Sequence, residues 1–212
     1  MKLLSEENKR FFHIYNRGVD KRTIFKNHLN YLHFFELIKN VNQLYPIGSL
    51  YRSKQNENQM NTEIKEKQKL VEIISYSLLP NHYHLLLREL VEGGVSKFMQ
   101  KIGTGYTNYF NLKNKRSGSL FQGRYKSIEI NSEEYLNYLS AYINGNSEIH
   151  GICKAKNYKY SNYNVILFGG ADVFNKHILK NFSKIEEYQK YVKEAIKNSK
   201  NIKEDKKRYL FE

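Results

Sequence analysis

The sequence predicts an α+β protein: a ferredoxin-like antiparallel sheet with helices packed on it, followed by a C-terminal helical extension. Three observations predict it. Strand-like and helix-like segments follow one another as strand, helix, strand, strand, helix, strand, the split βαβ order. Two apolar runs meet at Pro80-Asn81, a dipeptide that reads as a hairpin turn. The chain has 212 residues and 40% hydrophobic content, enough for one real core plus an appendage.

The elements follow in order. Phe11 to Arg17 reads as the first strand, ended by Gly18, and Arg17 to Arg22 as a basic turn that could grip phosphates or stay solvated. From His28 to about Leu44, Leu29, Leu32, Phe35, Ile38 and Val41 recur every three residues, with Leu37 and Leu44 widening the stripe, so one helix face is expected in the core. Pro46 and Gly48 end that helix. Arg52 to Lys69 is polar, charged and poor in apolar residues; it reads as an inserted loop, mobile and dispensable for the fold.

Val71 to Leu79 is the second strand and His82 to Arg88 the third. Glu92-Gly-Gly94 closes the hairpin. Val95, Phe98, Met99, Ile102, Tyr106, Tyr109 and Phe110 then recur at helical spacing. Gly103 and Gly105 each cost about 1 kcal/mol against alanine inside a helix, which implies close backbone approach or a break there. Ser117 to Arg124 is a turn-rich connection, and Tyr125 to Ile130 alternates as the fourth strand.

Asn131, with Glu134 three residues on, reads as a capping box. It opens a helix marked by Tyr135, Leu136, Leu139, Tyr142, Ile143 and Asn146 and bracketed at its end by Gly145 and Gly151. Asn157 to Tyr163 is an aromatic, basic linker. Ser183 and Glu186 begin a last helix, and the basic tail from Lys197 to Arg208 is expected to fray. Residues 1–151 thus form the principal domain and 152–212 a linker with a helical extension.

Composition narrows the function. Lys and Arg number 35 against 21 Asp and Glu, a formal charge of +14, with a pI near 9.6. Such an excess points first to nucleic acid and second to an anionic membrane, although a solvated surface would also carry it. No segment reaches transmembrane length, and the start lacks a signal-peptide core. Cys153 is the only cysteine, which excludes a disulfide framework and a thiolate cluster and suits a reducing, cytoplasmic setting. The 18 Tyr and 12 Phe suit stacking on exposed bases.

His82 and His84 lie one residue apart at the beginning of the third strand. Side chains alternate along a strand, so both point one way and Tyr83 the other. Same-face neighbours are about 6–7 Å apart, close enough for two imidazoles to converge on one ion. Alone the pattern is short, and two half-buried histidines would explain it equally well. Tyr142 and Asn146 are four apart, one turn removed on the same helix face. A tyrosine can be a covalent nucleophile and an amide oxygen can ligate a hard metal, though tyrosines on an apolar helix face are usually core.

Leu79-Pro-Asn-His-Tyr-His-Leu-Leu86 resembles the metal motif of the single-tyrosine HUH transposases, the small transposases of single-stranded insertion sequences. Tyr15-Asn-Arg-Gly18, Gly118-Ser-Leu-Phe-Gln-Gly-Arg-Tyr-Lys126, Glu134-Tyr-Leu136 and Tyr142-Ile143 resemble the branch tied to repetitive extragenic palindromes. The likeness spans roughly residues 11–163. It implies a divalent metal, Mg²⁺ or Mn²⁺, on His82, His84 and Asn146, with Tyr142 as nucleophile. It also implies a DNA transposase that cuts single-stranded DNA near hairpins, leaves a 5′-phosphotyrosine and a free 3′-hydroxyl, and rejoins strands. Basic turns and the same likeness mark Arg17, Lys115, Arg116, Arg124 and Lys126 as DNA contacts. Relatives occur as monomers and as dimers that exchange tyrosine helices, so either state is open. The family usually has Asn-Pro where this chain has Asn146-Ser147. Two rival readings are a basic module that grips hairpin or single-stranded nucleic acid without cutting it, and a nuclease that uses water and leaves no protein–DNA adduct.

Overall fold

Four strands pair antiparallel in the order β2-β3-β1-β4, where β1 is Phe11–Arg17, β2 Val71–Leu79, β3 His82–Glu89 and β4 Lys126–Ile130. This is the sheet order of the ferredoxin-like fold, as the sequence predicts. A computed structural model describes residues 3–44, 69–168 and 180–208. The inserted loop expected over 52–69 lies outside the described residues except for Lys69. β4 begins one residue later than Tyr125.

Alternation divides the sheet into two faces. Ile14, Tyr83, Leu85, Leu87 and Leu78 point to one core, shared with α1 (His28–Val41) and α2 (Gly94–Lys113). Ile74 and Leu86 point to a second core, shared with α3 (Glu133–Ile149) and the C-terminal helix α5 (Ile185–Arg208). A short helix α4 (Tyr163–Phe168) joins the second core through Tyr163 and Ile166. Both faces are therefore covered, one by α1 and α2 and the other by α3 and the C-terminal helix α5.

In α1 the buried residues are Asn30, Tyr31, Phe34, Ile38 and Val41, while Leu29 and Leu32 are 58% and 44% exposed. The expected period-three stripe is thus only half correct. A helix turns every 3.6 residues, so a strict three-residue series drifts off the buried face. α2 runs unbroken through both glycines. A side-chain carbon at Gly105 would lie 3.0 Å from Leu37, so that glycine serves close packing, whereas Gly103 faces open space. The N-cap of α3 is Ser132, which accepts from the Tyr135 amide, and not Asn131. At the start of α5 the Ser183 amide donates to Glu187 rather than to Glu186.

Gly145 does not end α3; it lies inside the helix, which continues to Ile149. A side-chain carbon there would approach Ile196 of α5 to 2.6 Å. Tyr188 of α5 is fully buried and its hydroxyl meets Ser140 at 2.7 Å and Asn144 at 2.8 Å. α5 has helical backbone as far as Arg208, over the basic tail. We predict that Gly145→Val costs about 1–3 kcal/mol through overpacking at this junction, read as a lower denaturant midpoint; an unchanged midpoint would mean that α5 is not seated here.

The stretch expected as a linker before α4 is fixed to the sheet edge. The Leu78 amide donates to the Tyr160 carbonyl at 2.9 Å, and Ser77 bridges Ser161. Asn162 fills the irregularity in β2: its Oδ1 accepts from the Tyr76 amide at 3.0 Å and its Nδ2 donates to the Ile74 carbonyl at 3.0 Å. An edge strand that would otherwise expose unpaired amides is covered in this way.

Candidate active site and nucleic-acid face

The hairpin turn that precedes the histidines is held from outside. Pro80 and Asn81 form its two central residues, and the Pro80 carbonyl accepts from the Ile24 and Phe25 amides at 2.7 and 2.9 Å. The Gly18 amide donates to the Asn81 carbonyl at 2.9 Å. The start of β3 is therefore tied to the connection between β1 and α1.

Pairing then lines up the face under α3. His84 lies opposite Ser77 on one side and Tyr15 on the other, and Tyr15 lies opposite Lys126. His82 lies opposite Arg17 and Leu79. The His82 and His84 rings sit 5.3 Å apart, on one face as expected. Tyr142 stands 6.0 Å from the His84 ring, perpendicular to it. Tyr138 instead stacks on Tyr135 at 6.4 Å.

Asn146 follows Tyr142 by one turn and is fully buried. It lies near enough to the phenol to temper its pKa, yet neither its Oδ1 nor its Nδ2 has a hydrogen bond of good geometry among the described residues. A buried amide left in that condition costs free energy unless something else satisfies it. No group of three or more His, Cys, Asp or Glu could hold a metal ion among the described residues. The donor set on this face is thus two imidazoles and one amide, which suits a divalent ion that also takes oxygen from a substrate.

The sequence reading missed two histidines. His13 Nε2 lies 2.9 Å from His84 Nδ1, and the His150 ring lies 4.9 Å from that of His82. Strand parity could have found His13, since residues 13, 15 and 17 share a face and that face meets His84 once the strands pair. His150 stands one turn beyond Asn146, and the uninterrupted helix carries the chain to it. With serine rather than proline at 147, nothing breaks the i→i−4 ladder there.

Burial is the main cause that holds all four imidazoles neutral. It brings His13 and His150 to about 4 and His82 to about 3, and takes His84 well below its usual range. Next to burial, His150, Arg17 and Lys203 depress His82, and Lys203 and Arg17 depress His150. Burial also raises the Tyr142 phenol, against the lowering effect of Asn146. At neutral pH the imidazoles carry free lone pairs and the phenol keeps its proton.

A pH dependence follows. Histidines of the unfolded chain take up protons near pH 6.5, whereas these stay neutral in the fold. Below pH 6.5 the unfolded state binds more protons, so stability falls as pH drops towards about 4. The metal-free thermal midpoint should drop between pH 7 and pH 5, and drop less in His150→Gln. An equal drop in the two proteins would show that His150 is not held neutral by the fold.

The five expected DNA contacts separate. Arg17 on β1 and Lys126 on β4 share the face of the histidines, through the pairs Arg17–His82 and Lys126–Tyr15. Arg124 is exposed and lies over the Tyr125 ring at 5.5 Å. It lines a cavity of about 700 Å³ on the opposite side of the sheet, with Asn16, Tyr83 and Gly103. Lys115 is exposed just past the end of α2. Arg116 is engaged by the turn itself, donating to Asn111 and to the Ser119 carbonyl at 2.8 Å. No helix among the described residues is long and apolar enough to cross a membrane.

Residues 49–146 match the family described as "Transposase IS200 like". That span contains His82, His84 and Tyr142 and stops at Asn146. No curated protein matches the sequence. Among solved structures, the fold is similar to that of a REP-associated tyrosine transposase bound to a REP hairpin, at 16% identity and a TM-score of 0.52, covering 79% of this chain and 83% of that one. The chain is thus similar in sequence to the IS200-like transposases over residues 49–146 and in fold to a REP-associated tyrosine transposase.

Proposed function

We propose that the protein is a single-strand DNA transposase that cleaves and rejoins DNA at or near hairpins through a 5′-phosphotyrosine on Tyr142. The observation that carries this reading is the placement of Tyr142 on α3 at 6.0 Å from His84, with the unsatisfied buried amide of Asn146 one turn further along the same helix. Hairpin DNA is the proposed partner, by analogy with the structural neighbour's bound hairpin.

In the reaction, Tyr142 Oη forms a bond to phosphorus while the bond from phosphorus to the 3′-oxygen breaks. The phenol gives up its proton and the departing 3′-oxygen gains one, so the phosphoester is conserved for rejoining. His82, His84 and Asn146 would hold a divalent cation, Mg²⁺ or Mn²⁺. When bound, that ion supplies charge neutralisation at the phosphate and orientation for in-line attack. Arg17 adds positive potential beside His82, where the phosphate would lie. The packed α3 keeps the phenol protonated until substrate arrives, because burial disfavours free phenolate.

Incubation with labelled single-stranded hairpin DNA and Mn²⁺, followed by a denaturing gel, should show a protein-linked DNA band. Cleavage without such a band would point to a water-using nuclease, and binding without cleavage to a hairpin-binding module. Asn146→Ala should lower cleavage about 10- to 100-fold, the scale of losing one determinant of metal affinity, with partial rescue at high Mn²⁺. Full activity in that variant would remove Asn146 from the ligand set.

A further inference from the structure

Every histidine ligand needs a lone pair on the nitrogen that faces the ion, and a neutral imidazole has only one. Which nitrogen keeps it depends on what the other nitrogen touches. For His82 the neighbouring atoms decide. Asn81 Nδ2 donates to the Lys21 carbonyl at 3.2 Å, which fixes the amide's orientation. Its Oδ1 then faces His82 Nδ1 at 2.6 Å and can only accept. Neutral His82 therefore carries its proton on Nδ1 and its lone pair on Nε2.

His84 has no such acceptor-only partner. Its Nδ1 meets His13 Nε2 at 2.9 Å, and either ring could donate. The rings are inclined by only 19°, so the contact is an in-plane hydrogen bond rather than a face-to-face stack. If His13 donated, His84 would carry its proton on Nε2 and could not ligate through it. If His84 donates, both ligand histidines present Nε2 lone pairs.

We propose that His13 is the positioning residue of His84: its Nε2 accepts the His84 Nδ1 proton and fixes His84 in the tautomer that leaves Nε2 open. Asn81 performs the same office for His82 from the hairpin turn. The two ligands are thus oriented by separate elements, β1 for one and the β2–β3 turn for the other. His13 is buried and Asn81 half-buried. Outer partners of this kind typically govern metal affinity about 10- to 100-fold.

The proposal rests on the metal reading of His82 and His84, but its first test does not need a metal. In metal-free protein labelled with ¹⁵N-histidine, NMR should show His84 protonated on Nδ1 and unprotonated on Nε2. A proton on Nε2 would overturn the proposal, whatever the protein does with DNA. The second test compares His13→Gln, whose amide can place an acceptor near the Nε2 position, with His13→Leu, which has none. Mn²⁺ affinity, measured by calorimetry in the presence of Tyr142→Phe so that no cleavage intervenes, should fall about 10- to 100-fold in His13→Leu and recover most of that in His13→Gln. Equal losses in the two variants would reduce His13 to a packing residue and overturn the proposal. If Mn²⁺ fails to bind even with His13 intact while the NMR result holds, the tautomer assignment stands and the metal reading falls.

Discussion

Tyr142→Phe should abolish the covalent protein–DNA band while leaving hairpin affinity unchanged. The substitution removes one oxygen and keeps the ring that stands perpendicular to His84 at 6.0 Å, so packing of α3 on the sheet is retained. Without Oη no bond to phosphorus can form, and neither histidine can replace it if both are committed to an ion. Tyr138→Phe is the matched control. Tyr138 lies one turn earlier on α3 and stacks on Tyr135, itself 40% exposed, so its hydroxyl is not needed at the histidines. Tyr138 has Tyr142 four residues on, whereas Tyr142 has Asn146, and an amide oxygen is the better ligand for a hard cation. The band should persist in Tyr138→Phe. A band lost in Tyr138→Phe and kept in Tyr142→Phe would exchange the two assignments.

Much of this arrangement is legible in the chain because local signals and pairing agree. Pro80-Asn81 fixes a two-residue turn, the turn fixes the β2–β3 register, and period-two alternation then places His82 and His84 together. What stayed hidden depends on contacts between distant segments. His13 gains meaning only when β1 is laid beside β3, and sequence alone does not say which strand takes that place. Gly145 looks like a helix terminator because glycine often is one; the approach of Ile196, fifty-one residues later, shows it as a packing site. Arg116 looked like a free cation, but its fork is closed on Asn111 and Ser119 within a few residues. The α1 stripe failed for a simpler reason: leucines at 29 and 32 fit a three-residue count but not the helix period.

Arg17→Gln and Lys126→Gln should each weaken hairpin binding about 10-fold, and together about 100-fold, because each removes a cation from the face where the phosphate backbone must pass. The pairings Arg17–His82 and Lys126–Tyr15 put both cations on the β1–β4 side of the histidines, Arg17 on the neighbouring strand and Lys126 on the edge strand beyond it. They share no partner, so their losses should be roughly additive. Neutral glutamine keeps most of each side chain's length, so the change is chiefly in charge. Lys126 is exposed on the edge strand, where its replacement should not disturb the core. Arg17 is half-buried with its Nε unpartnered among the described residues, so its variant needs a thermal melt beside the binding curve. The decisive reading is the salt slope. A phosphate contact releases about one counterion or slightly less, so each substitution should flatten the plot of log affinity against log salt by about 0.7–0.9. Lys115→Gln, at the far end of α2, serves as the comparison and should change the slope less. If all three variants shift the slope equally, the histidine face is not where the DNA backbone runs. If Lys115→Gln alone shifts it, the hairpin is held on the α2 side of the sheet, near Arg124 and the cavity it lines.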